Sequence, residues 1–142
     1  MKRLMVGLLS VVLLNAAPFA QAKGNLARKC IELPKLVFGI DEAGFAVSQD
    51  AYRVETGKCY SLVIQSTGKQ EYAVVGDGFY RNIWLRKVEA GGLEIKATHL
   101  AELEFEDEGE AEIFFVPIVA GEYALVAKGL EHKGSRAVFI FE

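Results

Sequence analysis

The chain has 142 residues, of which 51% are hydrophobic and 25% are charged, and its formal net charge is −3. This length allows one domain with a sizeable core. Because no cluster of Lys and Arg accompanies a set of aromatic residues, nucleic acid and anionic membrane surfaces are not expected as partners.

The first residues predict export. Met1, Lys2 and Arg3 give a positive start, the apolar run "LMVGLLSVVLL" covers residues 4–14, and Ala20-Gln21-Ala22 has the small-x-small pattern of a signal-peptidase site. This run has 11 residues, whereas a membrane-spanning helix needs about 20. We therefore expect residues 1–22 to be a signal peptide and residues 23–142 to be one periplasmic or secreted domain with no membrane span.

Apolar residues after position 22 alternate with period two, which predicts β-strands in chain order. The segments are 45–58, 59–69, 71–78, 82–92, 93–107, two within 110–129 that separate at 117–121, and 136–142. Seven to nine short strands with frequent turn signals favour an antiparallel β-sandwich or barrel in a single domain. A helix is an open alternative only around residues 79–90, and Pro34 suits an edge strand or a strand start.

Two cysteines, Cys30 and Cys59, remain after the predicted cleavage. Disulfides persist in exported proteins, so a Cys30–Cys59 bridge is the expected structural staple. The alternative, a redox or metal-binding thiol pair, is weaker because the spacing is not Cys-x-x-Cys.

Residues that could carry chemistry are few. The only histidines are His99 and His132, and no methionine follows Met5. No serine lies in a Gly-x-Ser-x-Gly elbow, and neither a Gly-rich phosphate loop nor His-Glu-x-x-His is present. We therefore expect that the protein is no enzyme and has no catalytic residues.

The acidic stretch at residues 102–112 contains seven carboxylates. Strand alternation places Glu102, Glu104 and Glu106 on one face, opposite Leu103 and Phe105. Such a face could bind a hard cation or dock a basic partner. Since the Asp-x-Asp-x-Asp-Gly turn of calcium loops is absent, a solvated face that discourages edge pairing is the favoured interpretation.

Three segments together resemble the cupredoxin family of Greek-key β-sandwiches. Residues 45–69 are similar to its early strand pair, and Gln70–Val75 ("QEYAVV") to the strand that carries its first His ligand. Residues 115–142, with "GEYALVAKGLEHKG" at 121–134, are similar to its closing strand, ligand loop and final strand. The resemblance implies a single cupredoxin-like β-sandwich.

Type-1 copper needs two His, one Cys and usually an axial Met. By the resemblance, the first His position falls on Gln70 or Glu71, the Cys position on Ala127 and the second His position on His132. The axial position falls near residues 134–136, which contain no Met. Without a copper–thiolate bond, no type-1 copper cofactor is expected.

Two hypotheses of function remain. The favoured one is an exported binding or assembly module without a metal, whose partner is another exported protein. The alternative is a copper-handling protein with an altered site, in which His132, Glu71 and His99 supply N and O ligands suited to Cu(II) or Zn(II).

Overall fold

The computed structural model describes residues 29–142, so the predicted signal peptide lies outside the described residues. Period-two alternation of apolar side chains continues through the longer segments, as strands buried on one face require. The strands are β1 (Ile31–Glu32), β2 (Leu36–Phe38), β3 (Ala51–Val54), β4 (Tyr60–Thr67), β5 (Tyr72–Val75), β6 (Ile83–Ala90), β7 (Leu93–Ile95), β8 (Glu102–Phe105), β9 (Glu108–Pro117), β10 (Gly121–Ala127) and β11 (Arg136–Phe141). A short helix, α1 (Asp77–Arg81), precedes β6, and a 3-10 helix (Glu131–Lys133) precedes β11.

The strands form two sheets, which confirms the predicted all-β sandwich. One sheet has the order β1-β4-β9-β6-β7, with β2 also paired to β4, and the other has the order β3-β11-β10-β5-β8. Most pairs are antiparallel, but β1 and β2 pair with β4, and β3 with β11, in parallel. The sheets are therefore mixed, with the parallel pairs at their edges.

The edge formed by β1 and β2 is one strand path interrupted by a proline. Ile31 lies opposite Tyr60 and Leu36 opposite Ile64, so both segments follow β4 in the same direction. Pro34 lies between them and has no N–H to donate to a ladder. Its edge position agrees with the prediction from the sequence.

The core lies between the sheets and is rich in aromatic rings. Phe79 of α1 is fully buried, and its ring centroid lies 4.7 Å from that of Phe139 and 5.2 Å from that of Phe115. Gly76 allows α1 to approach the sheet, because a Cβ atom there would lie 2.7 Å from the carbonyl oxygen of Ala124. The helix thus places an aromatic ring between the two sheets, in contact with a ring from each.

The predicted strand at residues 45–58 is wrong for its first half, since only Ala51–Val54 form a named strand. The Asp41 carboxylate accepts hydrogen bonds from the backbone N–H groups of Phe45 and Ala46, at 2.6 and 2.7 Å. These bonds, with the Ala46 bond as the largest cause, lower the pKa of Asp41. They also fold residues 41–46 into a loop, in which Gly44 has a φ of 81°.

Two other predicted segments are divided. Of the region at residues 79–90 left open to a helix, only residues 79–81 are helical, as the end of α1, whereas residues 83–90 are strand β6. The predicted strand at residues 93–107 is separated into β7 and β8 by residues 96–101. These two strands belong to different sheets, so the chain crosses from one sheet to the other at this break.

Candidate functional site

The loop at residues 128–135 connects β10 to β11 at one end of the sandwich, which we call the ligand-loop end. Gly129 and Gly134 have positive φ angles of 82° and 104°, which suit glycine in the turns on either side of the 3-10 helix. Residues 41–46 lie at the same end, because the Oγ of Ser135 donates to the carbonyl of Phe45 at 2.7 Å. Residues 69–71 adjoin them, because the amide of Gln70 donates to the carbonyl of Ala43 at 3.2 Å.

The predicted thiolate position is filled by a methyl group. Ala127 is fully buried within the hydrophobic core. Its N–H donates to the carbonyl of Ser135 at 2.9 Å, and the N–H of Lys128 donates to the carbonyl of Ala73 at 2.9 Å. These bonds fix the backbone on both sides of a side chain that cannot coordinate copper.

Ser135 holds the loop against the opposite segment. Its side chain is fully buried, and its Oγ donates to the carbonyl of Phe45 at 2.7 Å. The Nζ of Lys133 lies 4.3 Å from the centre of the Phe45 ring, a cation–π contact. Since the hydroxyl is used in this contact, Ser135 serves to position the loop, a role that nothing in the sequence indicates.

Glu71, His99 and His132, the three predicted metal ligands, are all exposed. They come from the residue before β5, the segment between β7 and β8, and the 3-10 helix. Within residues 29–142, no group of three or more His, Cys, Asp or Glu side chains is arranged to hold a metal ion. This arrangement does not support a metal site formed by these three residues, and the site stays a prediction.

Glu71 belongs instead to an acidic cluster. The pKa of Glu104 is raised, first by the negative charge of Glu102 and then by partial burial and by Glu71 and Glu106. The predicted solvated face of β8 agrees with this arrangement, since Glu104 and Glu106 are exposed while Leu103 and Phe105 are half-buried. Lys128 is the basic neighbour, at 3.8 Å from Glu102.

The predicted Cys30–Cys59 disulfide is confirmed, with a Cα–Cα distance of 4.5 Å. It joins the residue before β1 to the residue before β4 and closes a separation of 29 residues. In the loop-entropy view such a bond stabilises by about 3–4 kcal/mol. Cys59 is buried, and the guanidinium of Arg86 donates to the Cys30 sulfur at 3.6 Å.

The opposite end of the sandwich has an apolar surface. Trp84, Ile118 and Val119 are 41%, 57% and 49% exposed, and the N–H of Ile118 donates to the carbonyl of Asn82 near Trp84. Most aromatic side chains of the described residues are buried, but Trp84 faces outward because Ile83 and Leu85 on either side of it face inward. This alternation was the signal in the sequence that could have located it. No helix in residues 29–142 is long and apolar enough to cross a membrane.

Comparison with known proteins gives structural matches only. No family model matches the sequence, and no curated protein matches it either. The chain is similar in structure to a laccase from Pediococcus acidilactici (TM-score 0.60, 10% identity, covering 89% of this chain and 30% of the laccase). It is also similar to a copper nitrite reductase from Nitrosomonas europaea (TM-score 0.58, 15% identity, covering 81% and 50%) and to a multicopper oxidase from Campylobacter jejuni (TM-score 0.57, 12% identity, covering 81% and 31%).

These matches correct the expectation that the protein is no enzyme. That expectation was based on missing motifs, yet the solved structures with this fold are named as oxidases, a laccase and nitrite reductases. The chain spans between about a third and a half of their length, and identities of 8–15% establish the fold and no activity. What the comparisons and the two sheets show together is that the chain has the cupredoxin-like β-sandwich fold.

Proposed function

We propose that this protein is an exported cupredoxin-like binding domain that works without type-1 copper and engages a protein partner through its apolar end. The observation that carries the proposal is the buried Ala127, which fills the thiolate position and is held by hydrogen bonds on both sides. A thiolate is what gives a type-1 centre its electronic character, and no free thiol can supply one, since both cysteines of the sequence are in the disulfide.

Two features support export. The N-terminal residues have the pattern of a signal peptide, and the Cys30–Cys59 disulfide suits an oxidising compartment such as the periplasm or the exterior. Mass spectrometry of the protein recovered from the periplasm or medium tests this point. We expect a chain that begins at Lys23 and contains no free thiol, whereas an intact Met1 start would contradict export.

The apolar end supplies the partner surface. Trp84, Ile118 and Val119 are large exposed apolar side chains, and the backbone hydrogen bond from Ile118 to Asn82 brings their two segments together. Exposed apolar groups of this kind mark contact surfaces. A photo-reactive amino acid at Val119 should give a discrete cross-linked product in cells, and Trp84→Ser should remove it. The matched probe at the exposed Lys128, on the ligand-loop end, should give none. Equal products at both positions would contradict a surface specific to the apolar end.

A second candidate function is copper handling through N and O ligands. Exposed His132 and Glu71 lie on loops of a fold shared with proteins named as copper enzymes. Imidazole and carboxylate are ligand types that suit Cu(II).

Metal titration separates the two functions. Calorimetry with Cu(II) and with Zn(II) should show no stoichiometric tight binding, and added copper should give no intense charge-transfer absorption of a copper–thiolate centre. Stoichiometric binding that is lost in His132→Ala, and retained in the control Lys133→Ala, would replace the first function by the second.

A further inference from the structure

The outer edge of β7 is open to another strand. In the part of the chain that the structure describes, β7 pairs only with β6, and residues 96–101 then lead away to the other sheet. The connection from β6 is a two-residue hairpin, Gly91 and Gly92, with φ angles of 56° and 79° that suit a type I′ turn. The segment after the turn reads Leu93-Glu94-Ile95-Lys96.

The hairpin determines which backbone groups face outward. In a two-residue hairpin the flanking residues, here Ala90 and Leu93, exchange hydrogen bonds, and the pattern then alternates along the strand. Leu93 and Ile95 therefore direct their N–H and C=O groups toward β6. Those of Glu94, and of Lys96 if the strand continues by one residue, point to the free edge.

The side chains at this edge are self-complementary. Glu94 and Lys96 lie on the same face, with an Nζ–Oε distance of 2.6 Å between them. If two such strands meet antiparallel about Ile95, Glu94 of each copy lies opposite Lys96 of the other. The residues whose backbone groups point outward are then opposite each other, so each such pair can exchange two hydrogen bonds.

The apolar face of the same strand is uncovered. Ile95 lies opposite Val88 and Leu93 opposite Ala90, which places them on the inner face of the sheet. Val88 is buried, yet Leu93 and Ile95 are 67% and 44% exposed, so the facing sheet does not cover them. Pairing about Ile95 brings the two Ile95 side chains together at a non-hydrogen-bonded position, where side chains approach most closely.

We propose that two copies of this chain associate by antiparallel pairing of their β7 edges, centred on Ile95 and specified by two reciprocal Glu94–Lys96 pairs. The two six-stranded sheets become one continuous sheet across a two-fold axis. Two of the other edges are less suited to this pairing. β8 carries Glu102 and Glu104, which would face the carboxylates of its copy, and Pro34 interrupts the edge of β1 and β2.

Sedimentation equilibrium of the exported protein over a range of concentrations tests the charge pairing. The wild type should show a reversible monomer–dimer equilibrium. Lys96→Glu should abolish dimers, because two carboxylates then face each other, and the double exchange Glu94→Lys with Lys96→Glu should restore them. Glu142→Lys, at an exposed ion pair with Arg53 on the other sheet, is the control and should leave the dimer unchanged.

Cysteine cross-linking tests the register. Ile95→Cys places two thiols opposite each other across the two-fold axis, within the Cα separation that a disulfide bridges, so oxidation should give a covalent dimer. Leu93→Cys is the control, because its two copies would be about 13 Å apart along the strands although Leu93 is more exposed. The proposal is overturned by a monomer at all concentrations, by a double exchange that fails to restore dimers, or by Leu93→Cys cross-linking as well as Ile95→Cys.

Discussion

β7 and β8 each form one edge of a sheet, and each carries exposed carboxylates. The charges around these carboxylates are opposite in sign. Glu94 of β7 lies between Lys96 and Lys87, and these cations, Lys96 first, lower its pKa to about 2. Glu104 of β8 is surrounded by carboxylates, of which Glu102 contributes most, and its pKa is raised. Edges of similar composition thus differ in whether a second strand of the same sequence would be attracted or repelled.

The two strands differ equally in how they are attached to the core. Leu103 and Phe105 of β8 are half-buried and pack against the core, whereas Leu93 and Ile95 of β7 are 67% and 44% exposed. β8 is therefore held by its own apolar face, and β7 mainly by its ladder with β6. The apolar side chains of β8 are partly covered by the core, while those of β7 leave apolar area exposed to solvent.

The largest expected effect is on the free energy of unfolding, and it tests this difference in attachment. Phe105→Ala should lower the free energy of unfolding by about 1–2 kcal/mol, because it removes a half-buried ring from the core margin. Leu93→Ala should change it by less than about 0.5 kcal/mol, since that side chain is mostly exposed. Urea unfolding at concentrations at which the wild type is monomeric measures both. Equal losses would contradict the contrast between the two strands.

A smaller effect is expected from the charge on β7. A depressed folded-state pKa means that ionised Glu94 stabilises the fold above its unfolded pKa of about 4.5, and that this stabilisation is lost as the pH falls toward 2. Glu94→Gln should therefore have a lower unfolding midpoint than the wild type at pH 7, and the two midpoints should converge below pH 4.5. Raised salt should reduce the difference at pH 7, because the contact with Lys96 is exposed to solvent screening. A constant difference across this pH range would argue against the two lysines as its cause.

The sequence predicted the sandwich, the disulfide and the exposed acidic face because each depends on local pattern. Period-two alternation decides which face of a strand is buried, and two cysteines allow one intramolecular pairing. The strand prediction from alternation failed at residues 45–50. There the Asp41 side chain accepts hydrogen bonds from the backbone N–H groups of Phe45 and Ala46, which a β-ladder would otherwise use. A side-chain contact of that kind leaves no periodic signal.

The candidate site was predicted less well than the fold. The Ala127 position was identified from the resemblance, but the contact of Ser135 with Phe45 joins residues 90 positions apart and depends on how the two ends meet in space. The same limit applies to β7, since its place at a sheet edge follows from the order of strands, which alternation does not determine. The charges of Glu94 and Lys96 became informative only once that edge was known.

The smallest expected effect concerns the acidic edge of β8. A raised folded-state pKa means that the ionised form of Glu104 is disfavoured in the fold, so its contribution to stability is fully present below the unfolded pKa near 4.5 and is lost as the pH rises through the folded-state value. Glu104→Gln keeps the shape of the side chain and removes the charge. Its unfolding midpoint should exceed that of the wild type at pH 7, and the excess should vanish below pH 4.5, the opposite sign to Glu94→Gln. If Glu104→Gln instead destabilised the protein at pH 7, the ionised carboxylate of Glu104 would stabilise the fold. The edges of β7 and β8 would then not differ in the sign of their electrostatic contribution.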